Sequence, residues 1–319
     1  MTLRVSVVVP TYNRAHCIAE CLESILAQTV PAHEILVSDD GSTDGTAAVL
    51  ERFGARITVL LAPTNPGVSA ARNAAIAQAT GEWIAFLDSD DLWRPERLAI
   101  LARDVGDAGP EIGVHMADLV LSGGGYQRSL FEQWGLVAPS DRAIATPDLL
   151  PFVHNGAHLQ SVAVRRSVLA ATGGFDRSLS IGEDALLLGR LVLATGWRIT
   201  GASVAEVRRL GDDANALTVQ AEKDPVTRIE KRLYYLEALL EAVSDPAHRR
   251  LLAKSKSHML VQLAEARAGL GPTPRRLLLQ AAAADPDRLR GMLRVLSPLV
   301  LGRRGFRLMR RNRTAAFRR

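Results

Sequence analysis

Trp83-Ile84-Ala85-Phe86-Leu87-Asp88-Ser89-Asp90-Asp91 is an apolar run that ends in three carboxylates within four residues. A short apolar run of this kind reads as a buried strand, and the acids fall just past its carboxyl end. Two carboxylates ~4 Å apart repel by roughly 4 kcal/mol at an effective dielectric near 20. A proton, solvent or a hard cation such as Mg²⁺ or Mn²⁺ must offset that repulsion. One aspartate could instead cap a helix starting near Pro95, but capping does not require three.

Toward the N-terminus the pattern alternates. Val5–Val9, Glu34–Ser38, Arg56–Leu61 and Trp83–Leu87 read as strands, with His16–Gln28, Thr46–Phe53 and Ser69–Ala79 as helices. This βαβ alternation predicts an α/β fold. Its sheet is mostly parallel, with helices on both faces and ligands at the carboxyl ends of its strands. Asn13 and Asp39-Asp40 fall past such ends, as Asp88 does. Asp40, Ser42, Asp44, Gly45 and Glu51 also fit the spacing of an EF-hand calcium loop. That loop needs an entering helix, and Glu34–Ser38 is a strand by composition. Ser42 or Thr43 is expected to cap the helix that follows.

Toward the C-terminus the pattern blurs from 110 to 160, with glycines 123–125 marking a loop and a strand expected at Gln160–Val164. A helix is expected at Glu183–Thr195. Beyond Val226 the chain is rich in Ala, Leu and Arg at helical spacing, with breaks expected at Pro246, Pro272, Pro286 and Pro298. The expected division is an α/β domain over 1–215, a helical appendage over 216–302 and a basic tail over 303–319.

The net charge of +5 is misleading, because residues 303–319 hold eight arginines and no acid. The body is therefore net acidic, which argues against a nucleic-acid-binding groove. The tail, with Leu299, Val300, Leu301, Phe306, Leu308, Met309 and Phe317, reads as a segment for an anionic membrane surface or as a solvated terminus. No apolar run reaches the ~18 residues of a membrane span, and no signal-peptide core is present. Cys17 and Cys21 sit on one helical face and read as core residues. The expected location is cytoplasmic, peripheral at the inner face of the membrane.

Other polar and aromatic residues take bland readings. His154 and His158 read as loop residues, His115 as a core strand residue, and Trp93 and Trp134 as packing.

Four motifs occur in order: Val8-Val9-Pro10-Thr11-Tyr12-Asn13, Asp39-Asp40-Gly41-Ser42-Thr43-Asp44-Gly45-Thr46, Gly67-Val68-Ser69-Ala70-Ala71-Arg72-Asn73 and Phe86–Asp91. Thr172-Gly173-Gly174-Phe175-Asp176 and Gly182-Glu183-Asp184 follow. Together they resemble the family-2 glycosyltransferases of the GT-A type, over roughly residues 4–210. The resemblance implies an inverting transfer from a nucleotide-diphosphate sugar, UDP-linked, to an acceptor hydroxyl on a glycolipid or polysaccharide precursor of the cell envelope. It implies that Pro10, Thr11, Tyr12 and Asn13 line the nucleotide pocket, that Asp40 reads the base with Arg72 beside it, and that Asp88 lies near ribose and diphosphate. It gives Asp90 the Mn²⁺ or Mg²⁺ and Asp184 the role of catalytic base, with Glu183 assigned to positioning. A helix-end position could also make Asp184 a plain cap. The Gln-x-x-Arg-Trp motif of processive members is absent, which favours single additions.

The alternatives are a nucleotidyltransferase, a dinucleotide oxidoreductase and a non-catalytic nucleotide-sugar-binding module. The first two want a Gly-rich loop after the first strand, where Pro10-Thr11-Tyr12-Asn13-Arg14 stands instead. The third is opposed by the intact acids at 88, 90 and 184.

Overall fold

The computed structural model describes residues 3–62, 67–123, 125–136, 143–145, 158–179, 181–208, 224–272, 274–302 and 304–306. The chain divides into two compact units, Met1–Asn215 and Ala216–Arg319.

The first unit is built on a ten-stranded sheet. Its strands are β1 Val5–Thr11, β2 Glu34–Asp39, β3 Thr58–Leu61, β4 Trp83–Phe86, β5 Leu92–Trp93, β6 Ile112–Gly123, β7 Tyr126–Ser129, β8 Ala143–Ala145, β9 Val162–Arg165 and β10 Gly196–Arg208. The order is β3-β2-β1-β4-β9-β6-β10-β5, with β7 on β6 and β8 on β10. The β3-β2-β1-β4 half is parallel throughout. β9 runs antiparallel to both β4 and β6, and β6 pairs with β10 in parallel.

β1 and β4 are buried along their whole length, as expected for strands covered on both faces. β4 pairs with β1 only as far as Val8, opposite Phe86. Pro10 therefore sits where β1 has run past that neighbour, so its missing N–H leaves no gap in the ladder on that side. The helices are α1 Ile18–Leu26, α2 Thr46–Glu51, α3 Val68–Gln78, α4 Arg97–Val105, α5 Leu130–Trp134, α6 Arg166–Ala171 and α7 Glu183–Ala194. α3 packs on β1 and β2, and α4 packs on β6 and β10. Cys17 and Cys21 are both buried free thiols. His115 on β6 is fully buried between Asp104 (3.0 Å) and Arg97 (3.4 Å), and burial pushes its pKa down to about 4.

Three local expectations need correction. Neither Ser42 nor Thr43 caps α2. The cap position is Gly45, at φ 97°, and Asp44 Oδ1 takes the Thr46 N–H at 3.0 Å. A left-handed residue there leaves the neighbouring aspartate to supply the side-chain acceptor. The 110–160 region, read as blurred, contains the twelve-residue strand β6. Its alternation is masked because both faces are covered and His115 and Asp118 are buried in it. Finally, Pro298 does not end a helix.

The second unit holds α8 Pro225–Ala242, α9 Pro246–Leu270, α10 Arg275–Ala284 and α11 Arg288–Leu301. Pro225 and Pro246 stand in the first turns of their helices, where a missing N–H costs nothing. Pro298 lies inside α11 and is tolerated near its end. Ile229, Leu233, Val261, Leu278, Val295 and Phe306 belong to this unit's own core.

Candidate active site

The parallel half of the sheet delivers three loops to one edge. At the end of β1, Asn13 adopts φ 52°, an uncommon left-handed conformation for a residue other than glycine. It is held there from both ends. Its N–H donates to Ser42 Oγ at 2.8 Å, and its Oδ1 accepts from the Thr43 N–H at 2.8 Å. The Arg14 N–H donates to Thr46 Oγ1, and the Ala15 N–H to Asp44 Oδ2. Asp39 closes the β2 loop by accepting from both the N–H and the hydroxyl of Ser42. Ser42 and Asp44, two of the residues with calcium-loop spacing, are thus spent on joining two loops, and the segment entering them is the strand β2.

Asp40 is buried, and its Oδ2 accepts the Gly67 N–H at 3.1 Å. Its Oδ1 is buried without a hydrogen-bond partner among the described residues, as is Thr11 Oγ1 on β1. Burial, and then the charge of Asp39, raise the Asp40 pKa, and the Gly67 N–H opposes them. Buried polar atoms of this kind normally carry a partner. Two of them lie at neighbouring strand ends.

The acidic loop beyond β4 is sorted by its neighbours. Asp91 is the most enclosed, accepting from Gln160 Nε2 and from the Arg208 N–H at 2.8 Å. Burial, then Asp90, then Asp88 push its pKa well up. Asp88 accepts from Arg72 Nη2 at 2.8 Å and from Gln160 Nε2 at 2.9 Å. Asp90 keeps a quarter-exposed side chain (26%), with Arg14 Nη2 3.5 Å from one oxygen. None of the three caps α4, whose cap position is Glu96. Among the described residues no group of three His, Cys, Asp or Glu encloses a metal ion. A Mg²⁺ or Mn²⁺ that shares phosphate oxygens and waters needs only one or two carboxylates.

Arg72, on α3, ties this loop to the start of α7. Its guanidinium donates to Asp88 and, through Nη1, to Glu183 Oε1 at 2.8 Å. It also lies 5.2 Å from the centre of the Phe175 ring. Burial alone would lower its pKa, but Asp88 and Glu183 more than reverse that and raise it. Asp184 follows at the second position of α7, after Gly182 at φ 79°. Its Oδ1 accepts the Ala185 N–H at 2.7 Å. Its surroundings push its pKa up to about 7, first by burial and then by the charge of Glu183; Asp88 adds to the rise, while the Ala185 N–H and Arg72 oppose it. A carboxylate tuned to neutrality beside an acidic loop suits proton transfer.

The structure therefore gathers Thr11, Tyr12, Asn13, Asp40, Arg72, Asp88, Asp90, Glu183 and Asp184 at linked loops, with Pro10 at the root of the first. Three residues were not singled out by sequence. Gln160 bridges Asp88 and Asp91. Arg208, at the end of β10, donates through Nε to the Asp90 carbonyl at 2.8 Å and pairs with Glu20 at 2.5 Å. Arg14 faces Asp90. Gln160 and Arg208 come from distant elements, so only their proximity to the acid run could have flagged them. His154 lies outside the described residues. Trp93 is buried, and Trp134 stacks on Phe131 at 6.3 Å between ring centres.

Solved structures share this architecture. S. aureus TarS 1–349 in complex with UDP-GlcNAc superposes with a TM-score of 0.68 at 22% identity, covering 95% of this chain and 88% of that one. The mannosyltransferase PcManGT from Pyrobaculum calidifontis, in complex with GDP-Man and Mn²⁺, gives 0.59 at 22% identity, covering 97% and 84%. These likenesses establish the GT-A-like fold. The glucosyltransferase WfgD of Escherichia coli is 44% identical over 95 residues, 30% of this chain and 38% of that protein. The succinoglycan biosynthesis protein ExoO of Rhizobium meliloti is 31% identical over 304 residues, 90% of this chain and 83% of that protein. The family model described as "Glycosyl transferase family 2" matches residues 6–168. With half of its length under that model and a relative alike along nearly all of it, this chain belongs to glycosyltransferase family 2.

Proposed function

We propose that this glycosyltransferase moves a sugar from a nucleoside-diphosphate donor, UDP-linked, to a hydroxyl of a glycolipid or polysaccharide precursor, with Asp184 as the base. The observation that carries the assignment is the placement of Asp184 at the start of α7, beside Glu183, which Arg72 joins to Asp88; burial there pushes its carboxyl up to about 7. In the proposed step Asp184 takes the proton of the acceptor hydroxyl as that oxygen bonds to the anomeric carbon. The bond from that carbon to the diphosphate breaks, its electron pair leaves with the nucleoside diphosphate, and the centre is inverted.

The nucleotide is assigned to the edge formed by Pro10, Thr11, Tyr12, Asn13 and Asp40, where Thr11 and Asp40 carry the unsatisfied oxygens. Asp88 is assigned to the ribose and diphosphate side, Glu183 and Arg72 to holding that side against α7, and Asp90 to a Mn²⁺ or Mg²⁺. Bound there, the cation would supply charge neutralisation for the departing diphosphate. Two names support these choices without deciding them: TarS binds UDP-GlcNAc in its solved complex, and PcManGT was solved with Mn²⁺. WfgD is named for transfer onto a diphosphoundecaprenol-linked sugar, which supports a lipid-linked acceptor.

Asp184→Asn tests the assignment. It preserves shape and a good helix-start acceptor while removing the ability to take a proton. Turnover should fall by roughly 10²–10⁴-fold, with donor affinity within about twofold of wild type. Transfer at the wild-type rate would assign Asp184 to capping alone.

A further inference from the structure

α3 turns three polar side chains, Ser69, Arg72 and Asn73, to one face, because residues three and four apart are neighbours on a helix. Arg72 reaches the acid loop, whereas the other two grip the segment that leads toward α7. The Ser69 hydroxyl donates to the Leu179 carbonyl at 2.8 Å. Asn73 does more: its Nδ2 donates to the Phe175 carbonyl at 2.8 Å, and its Oδ1 accepts the Phe175 N–H at 3.0 Å. One side-chain amide thus pairs with both backbone groups of one residue, as a neighbouring peptide would. Gly174 lets the two approach. Its φ is 67°, and a Cβ there would stand 2.8 Å from Asn73 Oδ1.

Phe175, the residue held by this clamp, is buried. Its ring meets that of Phe86, two residues before Asp88, edge-on at 5.7 Å. The Arg72 guanidinium lies over the same ring, 5.2 Å from its centre, a favourable place for a cation. That guanidinium is itself buried and divides its fork between Asp88 and Glu183, each at 2.8 Å. Charge-assisted bonds of this kind carry geometric specificity as well as energy.

We propose that Asn73 is a positioning residue for proton transfer by Asp184. It pins the Phe175 backbone, and the Phe175 ring backs Arg72. Arg72 in turn holds Glu183, and with it the start of α7, against Asp88. This rests on the reading of Asp184 as the base, which the test judges separately.

Turnover is read as UDP release from UDP-sugars with Mn²⁺, water serving as the acceptor, and nucleotide binding as the Kd of UDP by isothermal titration. The variants are Asn73→Ala, Asn73→Asp, Asp184→Asn and the double variant Asn73→Ala, Asp184→Asn, with circular dichroism verifying each fold. Asn73→Asp keeps the shape and an acceptor for the Phe175 N–H, but sets a second oxygen against the Phe175 carbonyl. Both single Asn73 variants are expected to lose kcat roughly ten- to a hundredfold, the effect of a small misplacement. Donor KM and UDP Kd should stay within about twofold of wild type, because only the transition state is affected. In the Asp184→Asn background, Asn73→Ala should remove less than about twofold more, since groups that act as a unit are not additive. Wild-type kcat in the folded Asn73 variants, with only Tm lowered, would confine Asn73 to stability and overturn the proposal. So would losses that multiply in the double variant, or a loss confined to KM and Kd. Asp184→Asn alone judges the reading beneath: wild-type turnover there would overturn the base assignment and the proposal together.

Discussion

At the scale of single residues, the site rests on carboxylates driven apart in proton affinity by their surroundings. Asp184, raised to about 7, must lose its proton to act as a base, so turnover should rise with pH through about 7 and level off above it. A plot of kcat against pH checks this, and a flat profile from pH 5.5 to 8.5 contradicts it. Stability has the opposite sign. The folded state holds that proton more tightly than the unfolded chain does, so the stabilisation is full below the ordinary carboxylate pKa. It is lost as pH rises to about 7. Asp184→Asn should therefore melt higher than wild type at pH 8, measured by calorimetry. Gln160 holds Asp88 and Asp91 with one amide. Hydrogen bonds to charged groups contribute about 1.5–3 kcal/mol, so Gln160→Ala should weaken donor binding by about ten- to a hundredfold in isothermal titration. Unchanged affinity would make Gln160 a packing residue. The acids themselves were legible, because they stand in a run past an apolar strand. Gln160 and Arg208 were not, because only the sheet order brings β9 beside β4, and β10 beside β5 just past the acid run.

At the scale of elements, β1 through β4 and α1 through α3 were legible to within about two residues at nearly every end, since composition changes sharply at each boundary. β6 and β10 were not. β10 pairs with β6 through three register shifts, which erase the two-residue alternation that sequence reasoning depends on. The α2 cap was misassigned because Ser42 and Thr43 look like caps, while the chain spends Ser42 on Asn13 and Asp39. Asp44 ties the β1 loop to the start of α2. Asp44→Ala should lose about 1–2 kcal/mol by analogy with lost helix caps, lowering Tm by about 2–8 °C for a unit of this size. Differential scanning calorimetry checks it. Calcium should leave the wild-type Tm unmoved, and a millimolar-calcium shift would revive the EF-hand reading.

At the scale of the whole molecule, the described residues include no helix long and apolar enough to cross a membrane. Net charge describes neither part of the chain well: the acids gather at strand ends of the first unit, and the arginines concentrate past α11. The likeness to ExoO covers 90% of the chain and so takes in helices as well as sheet. Donor binding by this enzyme is expected to need a divalent cation held at Asp90. The most direct measurement is the Tm of the full chain against a panel of nucleotide sugars, with Mn²⁺ and with EDTA, in wild type and Asp90→Ala. A ligand at about 100 times its Kd stabilises by about 2.7 kcal/mol, or about 5–11 °C for a unit of this size. That shift is expected for a UDP-sugar with Mn²⁺ in wild type, and is expected to vanish with EDTA or in Asp90→Ala. Equal shifts with Mn²⁺ and with EDTA in wild type, or a full Mn²⁺-dependent shift in Asp90→Ala, would contradict it.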